Sequence, residues 1–237
     1  MNLLALFIPQ SDSKREKWVA KELTKLPKNS TILDAGAGEC QYKKYCQHLK
    51  YTSQDFNQYD GKGDKKGIQT GKRDFSKIDI VSDIVNMPIE SGKFDSSLCI
   101  EVFEHLPRPL DALKELSRVT KKGGSLILTA PFASLTHYSP YFFYSGFSSN
   151  FYKENLPKYG FQIEKTYTYG NYFDFITLEI IRTPLVLWRM INILALPIFL
   201  IYPIVIPAYI LMRLLSLILP RSSELLSFGI CIKAKKL

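Results

Sequence analysis

Glu101-Val102-Phe103-Glu104-His105 places two carboxylates and an imidazole at spacings of i, i+3 and i+4. On a helical turn this spacing brings all three side chains to one side. Such a set suits a divalent cation such as Mg²⁺, and an imidazole titrating near neutrality suits proton transfer. His137, in APFASLTHYSPYFFYSGF, is a second imidazole for the same chemistry, so His105, His137 and Glu104 are the candidate catalytic residues. The same residues fit plainer roles, with Glu101 on a bound nucleotide and His105 capping the turn before Pro107. Tyr138, Tyr141, Phe142, Phe143 and Tyr144 suit an aromatic substrate wall or a core equally.

A second group lies in ILDAGAGEC, residues 32–40. Gly36 and Gly38 let the backbone turn sharply and approach a ligand closely. A helix starting just after would aim free N–H groups at that ligand. Asp34 precedes the turn, Asp55 follows the next apolar stretch and Asp83 the one after. Carboxylates at successive strand ends belong to the edge where open α/β sheets bind ligands.

The elements that must hold these residues follow from periodicity. Ser13 to Glu16 reads as a capping box opening a helix over 13–26. Strands are predicted at 31–33, 51–55, 78–84, 94–100, 125–130, 161–169 and 228–234, and helices at 41–49, 109–119 and 149–158. Residues 60–77 are rich in glycine and lysine, lack periodicity, and read as a mobile loop. Strands alternating with helices imply an α/β Rossmann-like fold: a seven-stranded, mostly parallel sheet with helices on both faces.

With these residues in place, the sequence resembles the class I S-adenosylmethionine-dependent methyltransferases, of the small-substrate kind that includes ubiquinone-biosynthesis O-methyltransferases. The matching pieces are LDAGAGEC, Asp55, SDIVNMPIESGKFDSSLCIEVFEHLPRP and ELSRVTKKGGSLILTAP. The resemblance implies S-adenosylmethionine as cofactor. Asp34, Gly36 and Gly38 then line its methionine end, Asp55 takes the ribose, Asp83 with Ile84 flanks the adenine, and Phe56 is a further cofactor-binding residue. Glu101 falls to the cofactor or to a metal set of Glu101, Glu104, His105 and His137, similar to the E-x-x-E-H site of ubiquinone-pathway and small-RNA 2′-O-methyltransferases. Cys40 departs from the pattern, because the family usually has a third glycine there. A nicotinamide-binding reading needs a glycine at Gln41 and a second domain for which little chain remains.

The chain has 237 residues and a formal charge of +9, which points to anionic partners without choosing among headgroups, nucleic acid and phosphorylated substrates. Its four scattered cysteines exclude a C-x-x-C zinc site or a disulfide framework. The apolar run in residues 1–10 is too short for a signal peptide and reads as a packing arm or weak membrane contact. Residues 190–212 carry no charge, a length sufficient for a bilayer, yet Pro197, Pro203 and Pro207 interrupt them and arginines flank both ends.

A single crossing would strand the closing segment SFGICIKA on the wrong side of the membrane. The expectation is therefore an apolar helical hairpin before the last strand, attached monotopically or peripherally to the cytoplasmic side of a membrane. A buried helical pair or a dimer interface is the other reading. The domains are 1–183 for the cofactor-binding domain, 184–222 for the insertion and 223–237 for the closing strand. The expected reaction is O-methylation of a membrane-proximal sugar, glycolipid or lipid-linked acceptor, with no DNA and RNA not expected. The alternatives are a non-catalytic membrane-bound interaction module and an RNA 2′-O-methyltransferase.

Overall fold

The computed structural model describes residues 11–192 and 202–237. Residues 1–10, Pro197 and the turn of the expected hairpin lie outside the described residues. In chain order the elements are α1 (Ser11–Leu23), β1 (Thr31–Ala35), β2 (Lys50–Asp55), β3 (Ile80–Val81), β4 (Phe94–Ile100), α2 (Pro109–Val119), β5 (Thr120–Pro131), α3 (Ser149–Lys158), β6 (Phe161–Tyr169), α4 (Tyr172–Ile191), α5 (Tyr202–Ile218) and β7 (Gly229–Lys236). One sheet of seven strands runs β3-β2-β1-β4-β5-β7-β6. β1 pairs in parallel with β2 and β4, as does β4 with β5, while β7 returns antiparallel to β5.

Alternate residues of the central strands feed opposite faces. Leu33, Leu126, Leu128, Ile230 and Ile232 join a core with Leu113 and Leu116 of α2 and Tyr152 and Leu156 of α3. On the other face lies α1, where Trp18 stacks on Tyr167 at 6.4 Å and the buried Glu22 holds Lys165 at 3.0 Å and Lys233 at 3.7 Å. Helices thus cover both faces. Each buried leucine or phenylalanine contributes about 1.5–3 kcal/mol, so this layering dominates the stability.

Two units are distinct. Arg15–Tyr167 with Gly229–Leu237 form one, and the chain up to Lys14 with Thr168–Phe228 forms the other. Within the second, α4 and α5 pack on each other around polar groups. Asn171 caps α4 by accepting from Asp174 N at 3.0 Å, and its amide donates to Ser216 O at 2.8 Å. Arg213 is ion-paired to Asp174 and donates to Ser216 Oγ at 2.9 Å. Pro203 and Pro207 do not end α5: the first sits in the opening turn, where no N–H donor is needed, and the second is carried inside the helix. The insertion expected over 184–222 lies inside this unit.

Three further expectations are corrected. The helix expected over 41–49 is only a 3₁₀ turn, Lys43–Tyr45. Tyr42 and Cys46 alone bury there, and one apolar pair is too small a face to carry a helix. The strand expected over 78–84 shortens to Ile80–Val81 at the sheet edge. The capping box fails because α1 begins before Ser13, and Glu16 is drawn off to Lys44 Nζ at 2.7 Å and Tyr45 OH at 2.8 Å.

Candidate active site

The carboxyl ends of β1, β2, β3 and β4 adjoin, and the expected cofactor residues gather there. Gly36 N and Ala37 N both donate to Gln54 O, at 2.8 and 2.9 Å, so the end of β2 holds the glycine turn. Asp55 receives Gly38 N at 2.9 Å on one oxygen and Asn57 N at 2.9 Å on the other. Ser82 N reaches Asp55 O at 3.0 Å, which brings the end of β3 alongside. Cys40 has φ +57°, the conformation for which a glycine is ordinarily used at this position, so the backbone there accepts strain.

Gly36 has φ +73°, and a Cβ on it would stand 2.5 Å from Val102 Cγ2. Gly36→Ala is expected to cost about 2–3 kcal/mol of stability, read as a lowered Tm, and to weaken cofactor binding as Val102 shifts. An unchanged melting curve would refute this account of the turn.

Asp34 is buried, with Tyr51 OH donating to Oδ2 at 2.5 Å. Burial pushes its carboxyl up to about 7, the Tyr51 hydrogen bond opposes this, and the nearby Asp55 charge adds to it. Asp83 is exposed and accepts Val85 N at 3.1 Å, with Ile84 buried beside it. This segment is braced by Met87 N on Glu115 Oε1 at 2.8 Å and by Arg118 on Ile89 O at 2.6 Å. Phe56 lies edge-on to Tyr141, with ring centroids 5.0 Å apart.

Glu101 has φ +54° and lies before the 3₁₀ turn Phe103–His105, so the expected single helical turn does not form. Its carboxylate meets Arg15 at 3.0 Å and accepts from Thr129 Oγ1 at 2.8 Å. This withdraws it from the four-residue set, leaving Glu104, His105 and His137, whose ligand atoms all lie within 4.8 Å of one another.

Glu104 is buried, and its Oε2 has no hydrogen-bond partner among the described residues. His105 Nδ1 contacts Tyr141 O at 2.6 Å and His137 Nδ1 contacts Leu135 O at 2.9 Å. A carbonyl only accepts, so each Nδ1 carries the proton and each Nε2 keeps its lone pair. His105 Nε2 stands 3.7 Å from Glu104 Oε1. Burial lowers His105 to about 4, helped by His137 and Arg73 and opposed by the Tyr141 bond. Burial also lowers His137. Burial, then Glu101, raises Glu104 well above the usual carboxylate range.

The stretch 60–77 is docked rather than free. Ile68 N donates to Thr136 O at 2.8 Å and Tyr138 N to Ile68 O at 3.0 Å, forming a bridge beside His137. Gly63 lies so close that a Cβ would stand 1.9 Å from Ser139 O. Tyr138 stacks on His105 at 5.0 Å and on Tyr59 at 4.9 Å, and Phe142 packs on His137 at 4.9 Å. Of the aromatic run, these two line the trio, whereas Phe143 and Tyr144 are exposed.

Sequence reasoning missed two arginines. Arg15 reads as a surface residue of an amphipathic helix, and Arg73 sits in the stretch without periodicity. The Arg73 guanidinium lies over Tyr138 at 5.0 Å and Phe75 at 5.9 Å.

Residues 33–128 match a family model described as a methyltransferase domain. The chain is similar to the ubiquinone biosynthesis O-methyltransferase of Dechloromonas aromatica (strain RCB), 33% identical over 63 residues, 26% of each protein. It is also similar to the tRNA (carboxymethyluridine(34)-5-O)-methyltransferase of Arabidopsis thaliana, 31% identical over 124 residues, 50% of this chain and 29% of that protein. These matches thus span about a quarter to three tenths of the curated relatives. The fold is shared with a SAM-dependent methyltransferase from Archaeoglobus fulgidus, TM-score 0.59, 14% identical, covering 95% of both chains.

Proposed function

We propose that this chain, which carries a class I S-adenosylmethionine-dependent methyltransferase domain, methylates a hydroxyl oxygen of an acceptor seated at Glu104, His105 and His137. The observation that carries the reading is the orphaned, buried Glu104 oxygen beside two imidazoles anchored through Nδ1. The cofactor edge fits its ligand: a glycine turn with no Cβ at positions 36 and 38, a carboxylate at Asp55, and an apolar Ile84 beside Asp83. S-adenosylmethionine supplies an electrophilic methyl on a sulfonium. In the transfer the C–S bond breaks, a C–O bond forms, and the hydroxyl proton must leave.

A histidine held near pKa 4 is a poor base for a hydroxyl but is in the neutral form a metal ligand requires. The trio therefore fits a divalent ion better than it fits direct proton abstraction. Two imidazoles and one carboxylate suit Mn²⁺ or Zn²⁺ better than Mg²⁺, which prefers oxygen donors. Such an ion supplies Lewis acidity that lowers the pKa of a bound hydroxyl. Glu104, His105 and His137 would hold it, Tyr138 and Phe142 would exclude water, and His137 Nε2 is the remaining proton acceptor where no ion binds.

The finer reading is an acceptor in or on a membrane, a sugar, glycolipid or lipid-linked species, with the protein attached to the cytoplasmic face. Its support is the second unit. Among the described residues most of the large exposed hydrophobics lie between Ile181 and Leu225, with Leu185 at 68%, Ile218 at 70% and Leu225 at 75% exposure. Among the described residues no helix is long and apolar enough to cross a membrane. The charged residues of 181–225 are Arg182, Arg189, Arg213 and Arg221 against Glu224; with Arg213 paired to Asp174 and Arg182 to Glu179, the remaining balance is still positive, which suits anionic headgroups. Tethering would raise the local concentration of membrane-borne acceptors.

Full-length protein should float with vesicles containing phosphatidylglycerol. Leu217→Glu with Ile218→Glu should weaken that binding about tenfold or more, since each leucine-sized burial is worth about 1.5–3 kcal/mol. Equal flotation of the variant refutes attachment through this face. Incubation with labelled cofactor should put methyl label into envelope extracts. Label in transfer RNA instead would favour the RNA reading, and no label in either would favour the interaction-module reading.

A further inference from the structure

We infer that Arg73 is an anion receptor and that the acceptor carries an oxyanion, a phosphate or a carboxylate, close to the methylated hydroxyl. This rests on the reading of Glu104, His105 and His137 as the acceptor site. Arg73 sits on the 60–77 stretch that is bridged to the segment bearing His137. Its guanidinium lies over the Tyr138 ring at 5.0 Å, and that ring stacks on His105 at 5.0 Å with planes 21° apart. The cation is thus one ring removed from the trio. Its terminal nitrogens also stand 3.8 and 3.9 Å from where a Cβ on Gly38 would be, so it spans from the glycine turn to the acceptor side.

The cation is poorly matched inside the protein. Among the described residues its ionic contact is one long one, Nε to Glu39 Oε2 at 3.8 Å, with the Glu39 side chain half exposed. Among the described residues the terminal nitrogens make no hydrogen bond. Guanidinium presents a rigid planar fork whose geometry fits phosphate and carboxylate, and a cation–π contact restrains it without using those donors. A guanidinium held over a ring, with no hydrogen bond on its terminal nitrogens among the described residues, is preorganised for an oxyanion.

The surroundings favour the same charge. Residues 60–77 carry six cations against three carboxylates. Of the three acids, Asp60 accepts Lys62 N and Gly63 N at 2.8 Å, Asp64 accepts Lys66 N at 3.0 Å and stands 3.9 Å from Lys66 Nζ, and Asp74 accepts Ser76 N at 2.9 Å. The excess of cations gives the stretch a net positive field that favours anions.

The full chain loaded with S-adenosylhomocysteine, titrated separately with inorganic phosphate and with acetate, tests the proposal through the arginine Nε–H resonances. Saturable shifts are expected with at least one anion, and the stronger binder tells phosphate from carboxylate. Arg73→Gln should weaken that binding at least tenfold, Arg73→Lys should retain part of it, and Lys72→Gln should change it less than twofold. Cofactor affinity should stay within about twofold in all three.

No saturable shift in the wild type, or equal binding by Arg73→Gln, overturns the proposal. So does a tenfold loss of cofactor affinity in Arg73→Gln, which assigns the guanidinium to the cofactor's own carboxylate. Failure of the wild type to bind cofactor at all would instead sink the methyltransfer reading beneath it.

Discussion

Glu104→Gln is expected to lower turnover about 10³-fold, roughly 4 kcal/mol of barrier, while cofactor affinity stays within about twofold. The substitution keeps the shape of the side chain and removes its charge, so a divalent ion would lose its one anionic ligand in the trio. Global destabilisation does not explain such a loss, and the sign of the pH linkage shows why. Burial and Glu101 raise the folded pKa of Glu104, so the folded chain keeps a proton that the unfolded chain releases above the ordinary carboxylate range. Wild-type stability without ligand therefore falls as pH rises through that window, and the amide removes this fall. The variant should melt no lower than the wild type near neutral pH.

The same proton must leave before the carboxylate binds an ion, so apparent Mn²⁺ affinity should rise with pH by up to tenfold per unit. His105, already neutral above about 4, adds nothing to that slope near neutrality. Calorimetry with Mn²⁺ in buffers of different ionisation enthalpy should show about one proton released. Full turnover in chelator together with full turnover of Glu104→Gln would remove the metal and leave His137 as base.

Where sequence and structure agree, local signals and tertiary packing agree too. α2 carries Pro109 at its start and Leu113, Leu116 and Val119 at helical spacing, so its bounds are legible. β4 and α3 are equally plain. The gathering of Asp34, Asp55 and Asp83 at one edge of the sheet is legible because they lie at the ends of apolar stretches that become adjacent parallel strands. What escapes the sequence is set by distant partners. Glu101 looks like a ligand beside Glu104 until Arg15 and Thr129 take its oxygens. The 60–77 stretch has the composition of a free loop, and only the carbonyls of Thr136 and Ser139 give its N–H groups a place to dock. Arg73 had no signal at all, since a guanidinium lying over a ring in an aperiodic stretch looks, in sequence, like any surface cation.

Asp55→Ala should weaken cofactor binding about 10²–10³-fold, roughly 3–4 kcal/mol, measured by calorimetry on the full chain. Two effects combine. The carboxylate is placed at the end of β2 where a ribose diol would donate to it, and a charge-assisted hydrogen bond is worth about 1.5–3 kcal/mol. It also ties Gly38 N and Asn57 N, so its loss releases the turn on which the cofactor would rest. Asp55→Asn keeps one carbonyl acceptor and should recover part of the affinity.

A pH profile separates these effects through Asp34. With its carboxyl pushed up to about 7, Asp34 is largely protonated below neutrality, and a cationic ligand at the methionine end would favour its ionised form. Wild-type affinity should then climb by up to tenfold per unit as pH rises toward about 7 and level above it. In Asp55→Asn the midpoint should move down, because the neighbouring charge that raises Asp34 is gone. A flat wild-type profile would dissociate Asp34 from the cofactor, and unchanged affinity in Asp55→Ala would remove the ribose assignment on which the whole edge depends.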